Sequence, residues 1–163
     1  MAIVVPTPNT TITSAWGKSV ADQLNLVHEL VYAQTTAAVS MVGVTAPTAV
    51  TLVAGPAATF DGAPVMVEFY AAQAQCGAGA GTGIMFNLWD GGSDLGYYGQ
   101  IINVAGSILT VPVFLSRRLT PSAGSHTYVV KAWVPAGSGG SVGAGPGGIN
   151  ALPPMFLRIT RAT

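Results

Sequence analysis

The stretch Ser107–Val134, SILTVPVFLSRRLTPSAGSHTYVVKAWV, decides the fold of this chain. It contains two apolar runs, Ile108–Leu115 and Thr127–Val134, separated by a polar connection that carries Pro121 and Gly124. Both runs are rich in β-branched and aromatic residues, which favour strands. The pattern predicts a long antiparallel hairpin.

Short apolar runs separated by turn residues continue through most of the chain. In Val65–Gln75 and Ile84–Asp90 the residues alternate so that each strand has one core face. The sequence DGGS at 90–93 is a strong turn signal. Further strands are expected within Ala37–Val53, Leu95–Val104 and Met155–Thr160, and the glycine-rich stretch Ala136–Gly148 is expected to be a functional or mobile loop. About eight short strands of this kind predict an all-β fold, an antiparallel sandwich or jelly roll.

One helical pattern precedes the strands. Trp16, Val20, Leu24, Val27 and Val31 recur every three or four residues, which places them on one stripe of a helix. A helix this short needs a partner, so the stripe is expected to pack on the β domain or on copies of itself. The predicted organisation is an extended arm at 1–13, a short α-helix at 14–38 and a β domain at 39–163.

The first thirteen residues, MAIVVPTPNTTIT, predict an extended arm, because prolines and the residues before them disfavour helix. An apolar tip on an exposed arm is costly unless it docks on another surface. Ile3, Val4, Val5 and Pro6 are therefore candidates for an anchor on a neighbouring protein, and a disordered terminus is the equal alternative. The segment lacks the basic region of a signal peptide, and no apolar run reaches the roughly 18 residues of a membrane span.

Charge is the most unusual property of the composition. Only 7% of the residues are charged, against about 25% in a typical domain, and the net charge is zero. A monomer of this kind would lack the repulsion that keeps proteins apart, so other subunits are expected to cover much of its surface. All six acidic residues lie between Asp22 and Asp94 and five of the six basic ones between Arg117 and Arg161, which predicts pairing between the two halves. Zero net charge also argues against nucleic-acid binding.

The second faces of the predicted strands mix polar residues with large apolar ones. Such faces suggest a second buried surface, which in a homo-oligomer is the subunit interface. The candidate interface residues, including the helix stripe, are Trp16, Val20, Leu24, Val27, Val31, Tyr70, Trp89, Lys131, Trp133 and Phe156.

No combination of residues predicts an enzyme. Gly139–Gly143 matches G-x-S-x-G but lacks the following helix and the histidine partner that a serine hydrolase needs. Asp90 and Asp94 bracket a glycine-rich turn and could offer oxygens to Ca²⁺, although a plain turn explains them better. Cys76 is the only cysteine, which predicts a partly buried thiol, and His126 has no metal-ligand partner near it in sequence. A non-enzymatic protein without catalytic residues, metal or cofactor is therefore expected.

Several segments resemble virion structural proteins of tailed bacteriophages, notably those of actinobacterial hosts. They are TITSAWGKSVADQLN (Thr11–Asn25), FDGAPVMVEFYA (Phe60–Ala71), LWDGGSDLG (Leu88–Gly96), LSRRLTPSAGSHTYVVKAW (Leu115–Trp133) and GAGPGG…PPMFLRITRA (Gly143–Ala162). The β domain of those proteins is similar to the trimeric jelly rolls of the tumour-necrosis-factor and complement C1q type. The resemblance covers nearly the whole chain after Thr11, and it implies a fold and an assembly rather than a reaction.

The resemblance implies a homotrimer on the outer surface of a capsid or tail, made in the host cytoplasm. The chain has no long shaft, collagen-like repeat or large anchoring domain, which favours a capsid decoration or head-fibre protein. The arm would bind the major capsid protein, and the helix stripe would form a three-helix neck. The alternative is a receptor-binding tip or minor tail protein that contacts a host cell-surface glycan. Neither role involves nucleic acid or insertion into a membrane.

Overall fold

The computed structural model describes residues 29–135 and 139–162. These residues form twelve strands: β1 (Glu29–Thr35), β2 (Val39–Val42), β3 (Val50–Ala54), β4 (Ala58–Asp61), β5 (Val65–Cys76), β6 (Gly83–Asp90), β7 (Ser93–Ile102), β8 (Leu109–Leu119), β9 (Ala123–His126), β10 (Tyr128–Trp133), β11 (Gly139–Gly143) and β12 (Met155–Arg161). The single helical element in this part of the chain is a three-residue 3-10 helix, Ala46–Thr48. Within the described ranges, no helix is long and apolar enough to cross a membrane.

The strands form two main sheets and one short ribbon. The six-stranded sheet has the order β1-β12-β5-β11-β2, with β8 on the other side of β5. The 12-residue β5 is long enough to pair with β12 along its first half and with β11 along its second half. The four-stranded sheet has the order β3-β10-β6-β7, and β4 and β9 form the ribbon. All pairs are antiparallel, so the predicted all-β antiparallel fold is confirmed.

The strand order is that of a jelly roll. Apart from β2, β4, β9 and β11, one sheet runs β1-β12-β5-β8 and the other β3-β10-β6-β7. The final strand therefore pairs with the first, and β10 returns to pair with β3. Two interlocked Greek keys of this kind define a jelly-roll sandwich.

The core lies between the inner faces of the two sheets. Alternate residues of β5 from Val65 to Ala71 and of β6 from Ile84 to Leu88 are completely buried, as their alternation predicts. Phe69 and Phe86 meet between the sheets with ring centroids 6.0 Å apart. Each large apolar side chain buried in this layer stabilises the fold by about 1.5–3 kcal/mol.

Tyr98 ties the two sheets together. It lies on β7 in the four-stranded sheet, and its hydroxyl is 2.6 Å from the carbonyl oxygen of Val67 and 3.1 Å from that of Leu115, both in the other sheet. Burial raises the pKa of this hydroxyl far above its usual value, so it remains a donor. The neighbouring Gly99 leaves room for Leu115, because a Cβ at this position would collide with the leucine side chain.

Asn103 holds the connections at one end of the sandwich. Its side chain is buried, and its amide donates to the carbonyl oxygens of Gly77 and Ser107 at 3.0 and 2.5 Å. Its side-chain oxygen accepts the N–H of Ala105 at 2.9 Å. Both the N–H₂ group and the oxygen of this buried side-chain amide are therefore hydrogen-bonded, as is usual for polar groups in protein interiors.

The predicted hairpin within Ser107–Val134 is wrong. Its two apolar runs do form strands, but β8 pairs with β5 whereas β10 pairs with β3 and β6. The residues between them cross from one sheet to the other and contribute β9. Successive strands are neighbours in only roughly two-thirds of cases, and here each strand takes its partners from distant parts of the chain.

The predicted helix at 14–38 is wrong over Glu29–Thr35, which form β1. A spacing of four residues, as between Val27 and Val31, fits the even period of a strand as well as a helical turn, and the Leu-Val-Tyr run at 30–32 favours a strand. Pairing with β12 decides the outcome. The β domain therefore includes Glu29 and does not start at 39. The rest of the predicted helix up to residue 28, and the arm at 1–13, lie outside the described residues.

The prediction of a loop over Ala136–Gly148 is wrong for Gly139–Gly143, which form β11 between β5 and β2. A Cβ at Gly140 would lie only 2.9 Å from Ile84 Cγ1 and 3.1 Å from the Gln75 carbonyl oxygen. Glycine at this position therefore allows the strand to lie close to the core. Residues 136–138 lie outside the described ranges.

The predicted pairing of acidic with basic residues is confirmed for two pairs. Arg158 on β12 is 2.8 Å from Glu68 on β5, and Arg161 is 2.6 Å from Asp61 on β4. The Arg161 hydrogen bond lowers the pKa of Asp61 to about 2.

Candidate interaction surfaces

The predicted interface residues fall on two opposite faces of the sandwich. Tyr70 and Phe156 lie on the outer face of the six-stranded sheet, directly opposite each other in register. Trp89, Lys131 and Trp133 lie on the outer face of the four-stranded sheet. The sheets pack through their inner faces, so these two groups point in opposite directions and do not form one patch. Val31 belongs to the core, and Trp16, Val20, Leu24 and Val27 lie outside the described residues.

Four aromatic side chains line up across the outer face of the six-stranded sheet. This aromatic row consists of Tyr32 on β1, Phe156 on β12, Tyr70 on β5 and Phe114 on β8. The Phe156 ring stacks on Tyr32 at 5.8 Å and on Tyr70 at 5.6 Å between centroids, and Phe114 is opposite Tyr70 in register. Tyr32 is 45% and Phe114 59% exposed. Tyr70 and Phe156, between them, are half-buried. Exposed apolar patches are candidates for interaction sites, so the row is one candidate.

Two charged side chains beside the aromatic row, Glu68 and Arg158, neutralise each other. Glu68 and Arg158 lie two residues from Tyr70 and Phe156 on the same strands, and therefore on the same face. Arg158 Nη2 and Nε both donate to Glu68 Oε2, at 2.8 and 2.9 Å. A partner that covers this pair avoids burying an isolated charge, which is the strongly unfavourable case.

The outer face of the four-stranded sheet combines aromatic rings with polar side chains. Lys131 Nζ lies 3.9 Å from the centre of the Trp89 ring, a cation–π contact. Asn87 is almost fully buried at the centre of this face. Its side-chain oxygen accepts the indole N–H of Trp133 at 3.2 Å, and its amide donates to Asp94 at 2.8 Å. The Asn87 side chain thus fixes the Trp133 ring relative to the Asp94 carboxylate.

Tyr97 completes this second surface. Its ring centroid is 6.3 Å from that of Trp133, with 36° between the ring planes, and the side chain is 65% exposed. We call Tyr97, Trp133, Asn87, Asp94 and Lys131 the polar-aromatic face. Unlike the aromatic row, it presents hydrogen-bonding groups beside its rings.

A third cluster joins Asp90, His126 and Ser122 beside the turn between β6 and β7. His126 Nδ1 is 2.5 Å from Asp90 Oδ2, and Ser122 Oγ is 3.3 Å from His126 Nε2. These residues line a cavity of about 270 Å³ whose other walls include Leu95 and Leu119. The residue types and their order in space are those of a serine-hydrolase triad, so the protonation of the histidine decides what the cluster can do.

The hydrogen bonds of His126 indicate that both of its ring nitrogens carry protons. Nε2 is 3.0 Å from the backbone carbonyl oxygen of Ser122, which can only accept, and Nδ1 faces the Asp90 carboxylate. The hydrogen bond to Asp90 raises the pKa of His126, and the ring also stacks on Tyr128 with centroids 6.0 Å apart. While both nitrogens are protonated, His126 cannot take a proton from Ser122, because general-base catalysis needs a free nitrogen lone pair. The geometry suits a lock between the ribbon and the β6–β7 turn.

The two carboxylates that bracket the turn serve separate networks. Asp90 accepts from His126 and from the Thr127 N–H, whereas Asp94 accepts from Asn87. This arrangement fits a plain turn. Within residues 29–135 and 139–162, no three side chains of His, Cys, Asp or Glu are grouped so as to hold a metal ion.

The other residues that matched catalytic patterns lie inside strands. Ser141 is in β11, opposite Gln75 and Ser40, and not at the tip of a strand–turn–helix elbow. Cys76 is buried at the end of β5, where desolvation raises the pKa of its thiol. Neither position offers an activated nucleophile, because a reactive thiol needs a lowered pKa and access to solvent.

Sequence reasoning missed several features of these surfaces, including Phe114, Tyr32 and the pairing of Asp90 with His126. Phe114 could have been found, because it alternates with the core residues Val113 and Leu115 and must face outward. Tyr32 was placed on a helix, which hid its position on a sheet. The pairing of Asp90 with His126, 36 residues apart, leaves no local signal in the sequence.

No family model and no curated protein matches the chain. Among solved structures, one of infectious bursal disease virus strain Gt is 15% identical with a TM-score of 0.22, and covers 83% of this chain and 37% of that chain. One of strain Gx is 12% identical with a TM-score of 0.18, and covers 85% of this chain and 36% of that chain. The chain thus spans little more than a third of the length of either. Likenesses with TM-scores this low carry no argument about fold or function.

Proposed function

We propose that this protein is a non-enzymatic structural protein of a virion, which self-assembles through the outer face of the six-stranded sheet. The observation that carries the proposal is the aromatic row on a jelly roll with very little charge. Its two end members, Tyr32 and Phe114, are exposed. A stable interface buries about 800 Å² on each partner, so the row would form the centre of a larger contact. The paired Glu68 and Arg158 lie within that contact and are already neutral as a pair.

The number of subunits comes from the resemblance described above. The aromatic row supports self-association, and the similarity of the segments to phage proteins with trimeric jelly rolls favours a homotrimer. The low charge supports the same assignment, because 7% charged residues give little repulsion between copies. In this arrangement, Phe114 and Tyr32 leave water when the trimer forms.

The proposed place of the trimer is the outer surface of the capsid, as a decoration or head-fibre protein. Ile3, Val4, Val5 and Pro6 would anchor it to the major capsid protein, and Trp16, Val20, Leu24 and Val27 would join the subunits next to the anchor. These roles rest on the sequence and on the resemblance alone. The alternative location is a receptor-binding tip or minor tail protein.

Two experiments on particles of the virus that encodes the chain test the proposal, one by imaging and one by binding. Cryo-electron microscopy should show density of trimer size at regular positions on the capsid. The binding assay uses capsids from which this protein is missing. The intact purified protein should bind them, whereas a variant without residues 1–8 should remain a trimer but no longer bind. Density confined to the tail would replace the capsid role with the alternative. Absence of the protein from the particles would overturn the proposal.

A further inference from the structure

The outer face of the four-stranded sheet differs in chemistry from the aromatic row. Its exposed ring, Tyr97, adjoins the half-buried Trp133, and the two planes enclose 36°. The two tilted rings together form a shallow, angled surface, which we call the platform. Asp94 is exposed at its edge, and Lys131 lies beside Asn87 in register on the adjacent strand. Rings and hydrogen-bonding groups thus occupy one small area.

The platform is ordered before any ligand arrives. Asn87 is 8% exposed, and it holds Trp133 through one end of its amide and Asp94 through the other. Burying a polar side chain destabilises the fold unless its donors and acceptors form hydrogen bonds. The hydrogen bonds that satisfy Asn87 also fix the orientation of Trp133 and Asp94. Asp94 also accepts the Gly96 N–H at 2.8 Å, which fixes the carboxylate further. Preorganised groups bind ligands without an additional ordering cost.

The platform has free acceptor capacity and no net charge. A carboxylate has about four acceptor positions, and two hydrogen bonds occupy part of those on Asp94. Among the described residues of this face the single cation is Lys131, which lies over the Trp89 ring and balances the charge of Asp94. A polyanion such as a nucleic acid finds no basic surface here, and a purely apolar partner would bury the Asp94 carboxylate.

We infer that the polar-aromatic face binds the pyranose ring of a neutral glycan. The C–H groups on one face of a pyranose carry partial positive charge and pack on the negative faces of aromatic rings. Tyr97 and Trp133 supply those faces. The equatorial hydroxyls at the ring edge donate to the unused positions of Asp94 and accept from Lys131. This site is independent of the assembly through the aromatic row, because it lies on the opposite side of the sandwich.

The inference is tested by saturation-transfer NMR on the full chain with three soluble probes: methyl β-D-glucopyranoside, methyl β-D-galactopyranoside and a trimer of N-acetylglucosamine. At least one probe should receive saturation through the protons of one ring face, with a dissociation constant in the millimolar range or below. Tyr97→Ala should weaken that binding about tenfold, because it removes one of the two aromatic rings on which the sugar would pack. Tyr97→Phe keeps the ring and should keep the binding.

The control is Val42→Ala, which shortens an exposed apolar side chain on β2 of the six-stranded sheet, outside both the aromatic row and the polar-aromatic face. It should leave glycan binding unchanged, and light scattering on both alanine variants reports the assembly separately. Tyr97 is exposed on an edge strand, so its replacement should not unfold the protein, and circular dichroism checks this. No saturation transfer to any probe, or binding that Tyr97→Ala leaves intact, would overturn the inference.

Discussion

Tyr70 and Phe156 face each other across β5 and β12 on the outside of the sandwich, with their ring centroids 5.6 Å apart. Tyr32 on β1 stacks on Phe156 from one side, and Phe114 on β8 lies opposite Tyr70 in register on the other. The stacking joins Tyr32, Phe156 and Tyr70, whereas Phe114 is more than half exposed. The central claim, self-assembly through this row, therefore makes direct predictions about its exposed members.

The exposed end of the row is the best place to disrupt assembly without disrupting the fold. Phe114→Asp should weaken assembly by at least roughly a hundredfold, because each interface would then bury an unpaired charge. Light scattering after size-exclusion chromatography measures the change. Tyr97→Asp is the matched control, since it places the same charge at a 65% exposed aromatic position on the other face. Equal effects of the two variants would contradict the assignment of the interface.

The hydrogen bonds from the Tyr98 hydroxyl that join the two sheets can be tested against the exposed neighbouring residue Tyr97. Tyr98→Phe should lower the free energy of unfolding by about 1–3 kcal/mol, because the carbonyl oxygens of Val67 and Leu115 lose their shared buried donor. Tyr97→Phe removes the same atom from an exposed ring and should change stability by less than about 0.5 kcal/mol. Urea unfolding of both variants compares them. A Tyr98→Phe variant as stable as the parent protein would show that the tie contributes nothing.

The Asp90–His126 lock predicts a pH dependence of stability. The hydrogen bond to Asp90 raises the pKa of His126 above its ordinary value of 6.5. A raised pKa in the folded state means that the stabilisation is complete below pH 6.5 and is lost as the pH rises through the folded pKa. Asp90 and the Tyr128 ring are the titratable groups next to the imidazole, and burial and Asp90 raise the pKa of Tyr128 to about 12, so its charge does not change in this range.

The measurement is the difference in unfolding free energy between the parent protein and His126→Gln from about pH 5 to pH 9. Glutamine can keep a neutral hydrogen bond to Asp90 but cannot be protonated. The advantage of the parent protein should be greatest at the acidic end and should shrink towards the alkaline end. A difference that is constant with pH, or that grows as the pH rises, is incompatible with a protonated lock.

The packing around β11 predicts different effects on stability for alanine substitutions at two adjacent glycines. Gly140→Ala should destabilise the protein by about 1–3 kcal/mol, because its Cβ would press on Ile84 and on the Gln75 carbonyl. At Gly139 the nearest atom to an added Cβ is the Met41 carbonyl oxygen at 3.9 Å, so Gly139→Ala should be neutral or slightly stabilising. Thermal unfolding measures both. If the two variants behave alike, this segment does not pack as β11 does.

Much of the fold could be predicted because its signals are local. The alternation in β5 and β6 fixes which side chains enter the core, and the DGGS sequence at 90–93 joins β6 to β7 as a tight turn. Low charge predicts a covered surface, and the alternation identifies Tyr70 and Phe156 as outward residues. The alternation, the turn and the outward residues depend on neighbours in sequence, and the structure reproduces them. The covered surface stays a prediction.

The parts that could not be predicted depend on distant pairing. Nothing local in Ser107–Val134 indicates that β8 and β10 belong to different sheets, since their partners lie up to about eighty residues away. Tyr70 and Phe156 are separated from Trp89, Lys131 and Trp133 because β5 and β12 belong to one sheet and β6 and β10 to the other. The strand at Glu29–Thr35 likewise requires β12 at the other end of the chain.

The central claim is tested most directly by the mass of the full-length protein in solution. Size-exclusion chromatography with multi-angle light scattering at micromolar concentration should give three times the 16.5 kDa mass of one chain. A single species at 16.5 kDa would contradict self-assembly through the aromatic row.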